Sequence, residues 1–92
     1  MIELTEMFKQ ADHYNQPRYA RRSLLINPDH VVYVKEATEA KKQLWRQELG
    51  NLNQEFCLIS VGGWGRNQEI IIMDSYQNIV GQLGEGKRLL NG

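Results

Sequence analysis

With 92 residues, the chain has room for one hydrophobic core and not for two, because each half alone would bury too little surface to offset its chain entropy. Its 11 basic and 11 acidic side chains cancel, so no global field draws the protein to nucleic acid or to an anionic membrane, and any such binding needs a local patch. The lone Cys57 excludes an internal disulfide and a thiol pair for zinc, and reads as a small buried side chain.

Ile2 and Leu4 alternate with Glu3 and Thr5, the period of a short strand with one wet face. Residues 8–22 turn polar and aperiodic, with Asp12, Asn15, Gln16 and Pro17 crowded together, which predicts a loop. Leu24-Leu25-Ile26 and Val31-Val32-Tyr33-Val34 are strand-like runs on either side of Pro28-Asp29. Because proline cannot donate to a ladder and holds Asn27 extended, a kinked strand or two short ones are expected there.

Thr38 can cap a helix over residues 39–49 whose apolar stripe is read as Leu44, Trp45, Leu49 and Leu52, with Lys41 and Glu48 interrupting it and Gly50 ending it. Residues 56–61 and 69–73 then make a hairpin around a glycine-rich turn at 62–67. The unbroken run Ile70-Ile71-Ile72-Met73 predicts a strand covered on both faces. Asp74 or Ser75 caps a closing helix with Tyr76, Ile79, Val80 and Leu83 on one stripe, and residues 84–92 read as a loose tail. The expected fold is a single α+β domain: a mainly antiparallel sheet of four or five strands, a C-terminal helix packed on it, and one inserted helix.

No constellation carries a reaction. His13 and His30 lack the ligand count and spacing of a zinc site; Asp12, His13 and Ser23 have the residue types of a triad, but a triad is recognised by geometry, which sequence spacing does not supply; and Gly62-Gly63-Trp64-Gly65 lies between strands, without the Lys-Ser/Thr end of a phosphate loop and opening no helix. The reading is therefore of a non-catalytic protein with no cofactor. Two surfaces qualify for contact. Tyr14, Arg18, Tyr19, Arg21 and Arg22 combine aromatic and basic groups that suit single-stranded nucleic acid, with Lys42 and Arg46 as further cations, unless the arginines pair with Glu3, Glu6 or Glu36. Trp64 at the hairpin tip, beside Arg66, is the second. A protein partner or self-association through an exposed strand edge is expected first, and nucleic acid second. No apolar stretch reaches the about 18 residues of a membrane span, and the first residues lack the basic flank and apolar block of a signal peptide, so a cytoplasmic location is expected.

Four blocks in order, Met1-Ile2-Glu3-Leu4-Thr5, Leu25-Ile26-Asn27-Pro28-Asp29-His30-Val31 with Val34-Lys35-Glu36, Ile59-Ser60-Val61-Gly62-Gly63, and Ile71-Ile72-Met73-Asp74-Ser75-Tyr76-Gln77-Asn78-Ile79-Val80, resemble the small flagellar FlbD-like proteins, also called swarming motility protein SwrD. That family opens with a Met-Ile-x-Leu-Thr strand, places an Asn-Pro-acidic turn ahead of another strand, and ends in a strand followed by a Ser-capped helix. The chain departs from it in residues 8–22 and in the helical insert 38–52, where the family has a tight turn. The resemblance implies a small cytoplasmic accessory protein supporting flagellar motor output, with no catalytic residues.

Overall fold

The computed structural model describes residues 1–63 and 65–84. It is α+β: strands β1 (Ile2–Ala11) and β2 (Pro17–Ile26), a 3-10 turn at Pro28–His30, strand β3 (Val31–Glu36), helix α1 (Glu39–Leu49), strands β4 (Cys57–Gly63) and β5 (Arg66–Ile72), and helix α2 (Tyr76–Leu83). The strands form one antiparallel sheet in the order β2-β1-β5-β4-β3. The predicted tail from residue 85 onward lies outside the described residues.

The largest departure from the sequence reading is at residues 8–22. They are not a loop: β1 and β2 run through them and pair residue by residue from Ile2 opposite Ile26 to Ala11 opposite Pro17. The pattern is hidden because the outer half of this ribbon meets the core at little more than Tyr19, so neither side of it is required to be apolar. β1 pairs with β5 only at Glu6–Ile72 and Met7–Ile71. Beyond Met7 the β1–β2 ribbon therefore projects from the sheet as an arm.

Asn27 and Pro28 act as expected: the Asn27 side chain accepts from the Asp29 N–H at 3.0 Å, and Pro28 opens the 3-10 turn, leaving two separate strands. This link also bends the sheet. Five Cα steps from Ile26 to Val31 reach at most about 18 Å, whereas crossing from one edge strand to the other over a flat sheet takes four spacings, about 19 Å. The 3-10 turn shortens the reach further, so the sheet has to curl, bringing β2 towards β4 across its concave face.

Each face has its own helix. Leu4, Ile26, Ile59, Ile70 and Ile72 pack with Ile79 and Leu83 of α2, while Met7, Phe56 and Leu58 pack with Trp45 of α1, and Ile71, Met73 and Tyr19 border that second cluster. Helix α2 is capped by the Ser75 hydroxyl, which accepts from the Asn78 N–H at 3.1 Å. Thr38 caps α1 in the same way, and Gly50 closes it in the left-handed region at φ 69°, where a Cβ would be strained. The stripe of α1 is rotated from the predicted one: Leu44 and Leu52 are exposed, and Lys42 is buried beside Trp45. The Lys42 stem packs while its ammonium reaches Glu39 at 3.7 Å and Glu55 at 4.0 Å, the usual compromise of a long amphipathic side chain.

Cys57, fully buried in the α2-side cluster, has its thiol pushed up to about 12 by desolvation, with the Asp74 charge adding to the shift. A thiol held neutral is neither nucleophilic nor accessible. Native protein should therefore resist a thiol-specific chromophore until it unfolds, and the labelling rate should track the unfolding curve; rapid labelling at neutral pH in native buffer would refute the assignment.

Candidate interaction surfaces

The arm is organised from its tip. The Asp12 carboxylate accepts from the backbone N–H of Tyr14 at 2.8 Å and of Gln16 at 2.9 Å, and Arg18 Nε donates to its other oxygen at 3.1 Å. Asn15 takes the left-handed conformation at φ 59°, which asparagine tolerates better than most residues. These bonds hold the Asp12 carboxyl below its ordinary value near 3.8, the Gln16 and Tyr14 amides being the main cause. The sign follows: the turn is fully supported above that ordinary value and loses support as acid protonates Asp12 through its lower folded-state value. Amide exchange at Tyr14 and Gln16 should accelerate, once corrected for the intrinsic pH dependence, as pH falls below about 4, and an Asp12→Asn variant should show no such acid step.

The tip places Tyr14 in solvent, 83% exposed. Below it the predicted contact residues separate by strand alternation. Arg18 and Arg22 fall on the α2 face, Tyr19 and Arg21 on the α1 face. Arg22 Nε donates to Glu6 Oε1 at 2.8 Å, and its guanidinium lies 4.3 Å from the Phe8 ring centroid. Of the carboxylates proposed from sequence as arginine partners, Glu6 is one. Tyr19 is half-buried, borders the α1 cluster, and has the Lys9 ammonium 5.8 Å from its ring centroid. Arg21 is exposed and has no ion-pair partner among the described residues. The proposed stacking set is thus divided: one arginine pair is already bonded to carboxylates, and the better-placed ring is partly covered. Lys42 and Arg46 do not extend it, since Arg46 Nε donates to the Gln54 carbonyl at 2.7 Å and its guanidinium meets Glu55 at 3.3 Å.

Trp64 lies outside the described residues. Arg66 is exposed at the start of β5 and shares a shallow cleft with Val61, Gly62 and Gln68; among the described residues no hydrogen bond or ion pair joins it to the arm. The hairpin is tighter than predicted, with β4 running to Gly63 and β5 resuming at Arg66. The triad residue types are dispersed as well: Asp12 is engaged in the turn, and Ser23 sits in mid-strand opposite Thr5.

Three features escaped the sequence. Charge is segregated: residues 6–22, the ribbon from Glu6 round to its partner Arg22, hold four basic side chains (Lys9, Arg18, Arg21, Arg22) against Glu6 and Asp12, so the remaining residues hold seven basic against nine acidic. The ribbon carries +2 in a chain of zero net charge. A cavity of about 210 Å3 opens on the concave face, lined by Leu24 and Ile26 of β2, Val61 of β4 and Ile70 of β5, with Glu6 and Arg22 at its side. Finally, among the described residues β2 pairs on one side only, along its whole length. Only the first was countable beforehand, had the arm been recognised as a unit.

Among the described residues no helix is long and apolar enough to cross a membrane, and no three His, Cys, Asp or Glu side chains group as metal ligands. No family model, no curated protein and no solved structure matches this chain.

Proposed function

We propose that this is a small non-catalytic binding protein that presents the β1–β2 arm to a protein partner. The observation that carries this reading is the segregation of +2 charge onto a ribbon with a short seam to the sheet, the Glu6–Ile72 and Met7–Ile71 pairs and the Met73–Thr5 bond beside them. A projecting two-stranded ribbon adds little stability of its own, and its charge gives it a preference for acidic surfaces. The resemblance to the FlbD-like proteins adds a setting, support of flagellar motor output in the cytoplasm. Deleting the gene should then reduce swarming while flagella are still assembled, and unchanged swarming would remove that setting without touching the binding reading.

The direct test shortens the arm. Replacing residues 9–19 by Asn-Gly together with Arg21→Glu keeps Phe8 opposite Ala20, closes the ribbon with a two-residue turn, and takes the ribbon's charge from +2 to −1. The expected result is a folded protein, by thermal melt, that releases a crosslinked partner retained by the full chain. Equal retention by both forms would sink the reading.

A second reading, nucleic-acid binding, draws on the same charge. It requires affinity that falls steeply with salt, and the division of the arginines between two faces weighs against it.

A further inference from the structure

We infer that the free edge of β2 takes up an extended acidic segment of a partner protein as an added strand, with one apolar side chain of that segment seated in the concave-face cavity. The inference deepens the binding reading above and rests on it.

The backbone geometry comes first. The Met73 N–H donates to the Thr5 carbonyl at 2.8 Å, so Thr5 directs its main-chain groups towards β5. In an antiparallel ladder each residue points its N–H and C=O to the same side, and the side alternates along the strand. Thr5 stands opposite Ser23, which makes that a pair without mutual hydrogen bonds. By alternation Tyr19, Arg21, Ser23 and Leu25 all direct their N–H and C=O away from β1, to the unpaired edge. Pro17 obeys the same parity: its nitrogen, which has no hydrogen to give, falls on the open side, the placement that proline tolerates in sheets.

Arg21, Ser23 and Leu25 are exposed, Leu25 at 63%. The other edge of the sheet is blunter: β3 has six residues and a register shift between Val31 and Tyr33. β2 has ten residues in unbroken register with β1, and an edge of that kind invites pairing.

Charge then selects the occupant. β2 carries Arg18, Arg21 and Arg22 and no acidic residue. A second copy pairing antiparallel about Arg21 and Arg22 would set arginine against arginine, which is unfavourable. An incoming strand with acidic residues at two consecutive positions would meet Arg21, which has no ion-pair partner among the described residues, on one face, and on the other the outer side of the Arg22 guanidinium, which Glu6 holds through Nε while the side chain stays 55% exposed. The cavity supplies the remaining specificity. Arg22, Leu24 and Ile26 side chains share the concave face, so the residue opposite Leu24 points towards the space bounded by Leu24, Ile26, Val61 and Ile70. That space is smaller than the about 300–1,000 Å3 of small-molecule clefts and is of a size for a single side chain. Main-chain bonds for affinity with a side pocket for selectivity is how strand addition works elsewhere. In antiparallel sense the preferred segment reads apolar, any, acidic, acidic.

The test uses the full chain and a fluorescein-labelled, end-blocked peptide, Val-Thr-Leu-Thr-Glu-Glu-Val-Thr, by anisotropy at low salt. Saturable binding is expected, weakened about tenfold or more by Ser23→Pro, by Arg21→Glu, or by serine in place of the peptide's leucine, a loss equivalent to one good contact. Ser23→Pro removes an outward N–H and no β1–β2 bond; should its melt show misfolding, Arg21→Glu and the peptide change carry the result alone. Absence of saturation up to about 1 mM peptide, the weak end of recognition, overturns the inference, as does equal binding of a scrambled peptide. A dimer by light scattering that Ser23→Pro dissociates overturns it in favour of a second copy on the edge. Binding of a single-stranded oligonucleotide that ignores Ser23→Pro and falls steeply with salt overturns it in favour of nucleic acid. If the peptide fails while the shortened arm still releases a partner, strand addition falls and the binding reading stands.

Discussion

Phe56→Ala is expected to cost about 3–5 kcal/mol, the range for deleting a buried aromatic ring, out of a total of roughly 5–15 kcal/mol for a domain of this kind. Phe56 has no exposed surface and meets Trp45 edge-on, with ring centroids 5.3 Å apart at 67°. It sits just ahead of β4, where the chain returns from α1, so its ring both fills the second cluster and fixes the helix against the sheet. Removing it leaves a space beneath α1 that Met7, Leu58 and Trp45 cannot close without moving the helix. Urea unfolding should show the loss, and Trp45 emission in a Trp64→Phe background should shift to longer wavelength before the sheet melts. A cost below about 1.5 kcal/mol, the range of a volume-conserving swap, would mean that α1 is not held by this cluster. A double cycle with Trp45→Leu should return about 0.5–1.5 kcal/mol of coupling for the ring pair.

Arg22→Ala should destabilise more than Glu6→Gln, although the two changes cut the same ion pair. Glu6 is only 5% exposed, whereas the Arg22 side chain is 55% exposed. Without Arg22 the carboxylate is left in the sheet with its charged partner gone, at about 1–3 kcal/mol. Without the Glu6 charge, the Arg22 guanidinium is free to turn to water, and the amide carbonyl introduced by Glu6→Gln can still accept its Nε proton. The half-exposed arginine places the cost near the low end of what breaking a fully buried pair entails. Replacing both residues by leucine should recover most of the Arg22→Ala loss, since matched removal of a buried pair is often neutral. Equal costs for the two single changes would show that Glu6 is better hydrated than its burial implies.

The strands that face a core were legible, and so were both helices. Ile2 and Leu4 alternate because one face of β1 is packed, and Ile70-Ile71-Ile72-Met73 is continuous because α2 covers one side and the α1 cluster the other. The outer arm could not be read by period, since a ribbon in solvent imposes none; the signal that was available lay in Asp12, Asn15 and Pro17 as turn residues flanked by segments of similar length. Leu44 was misplaced for a different reason. The apolar stripe was assembled from residue type, but α1 buries Lys42 by extending its ammonium to Glu39 and Glu55, a solution that depends on where Glu55 lies in three dimensions. The candidate site suffered most: which arginine faces which side follows from the β1–β2 register, and the outward main-chain groups of β2 follow from a single bond between Met73 and Thr5. Neither is written in local sequence.

The narrow β1–β5 seam also has a consequence for the order of folding. The β1–β2 hairpin and the β3-α1-β4-β5 half each consist of pairings between consecutive strands, whereas Glu6–Ile72 and Met7–Ile71 join segments from opposite ends of the sheet's sequence and close its longest loop, with the highest entropic cost. The two halves should therefore form first and dock last. Met7, which has 1% exposure at that seam, should then behave as a late contact: Met7→Ala is expected to speed unfolding far more than it slows folding.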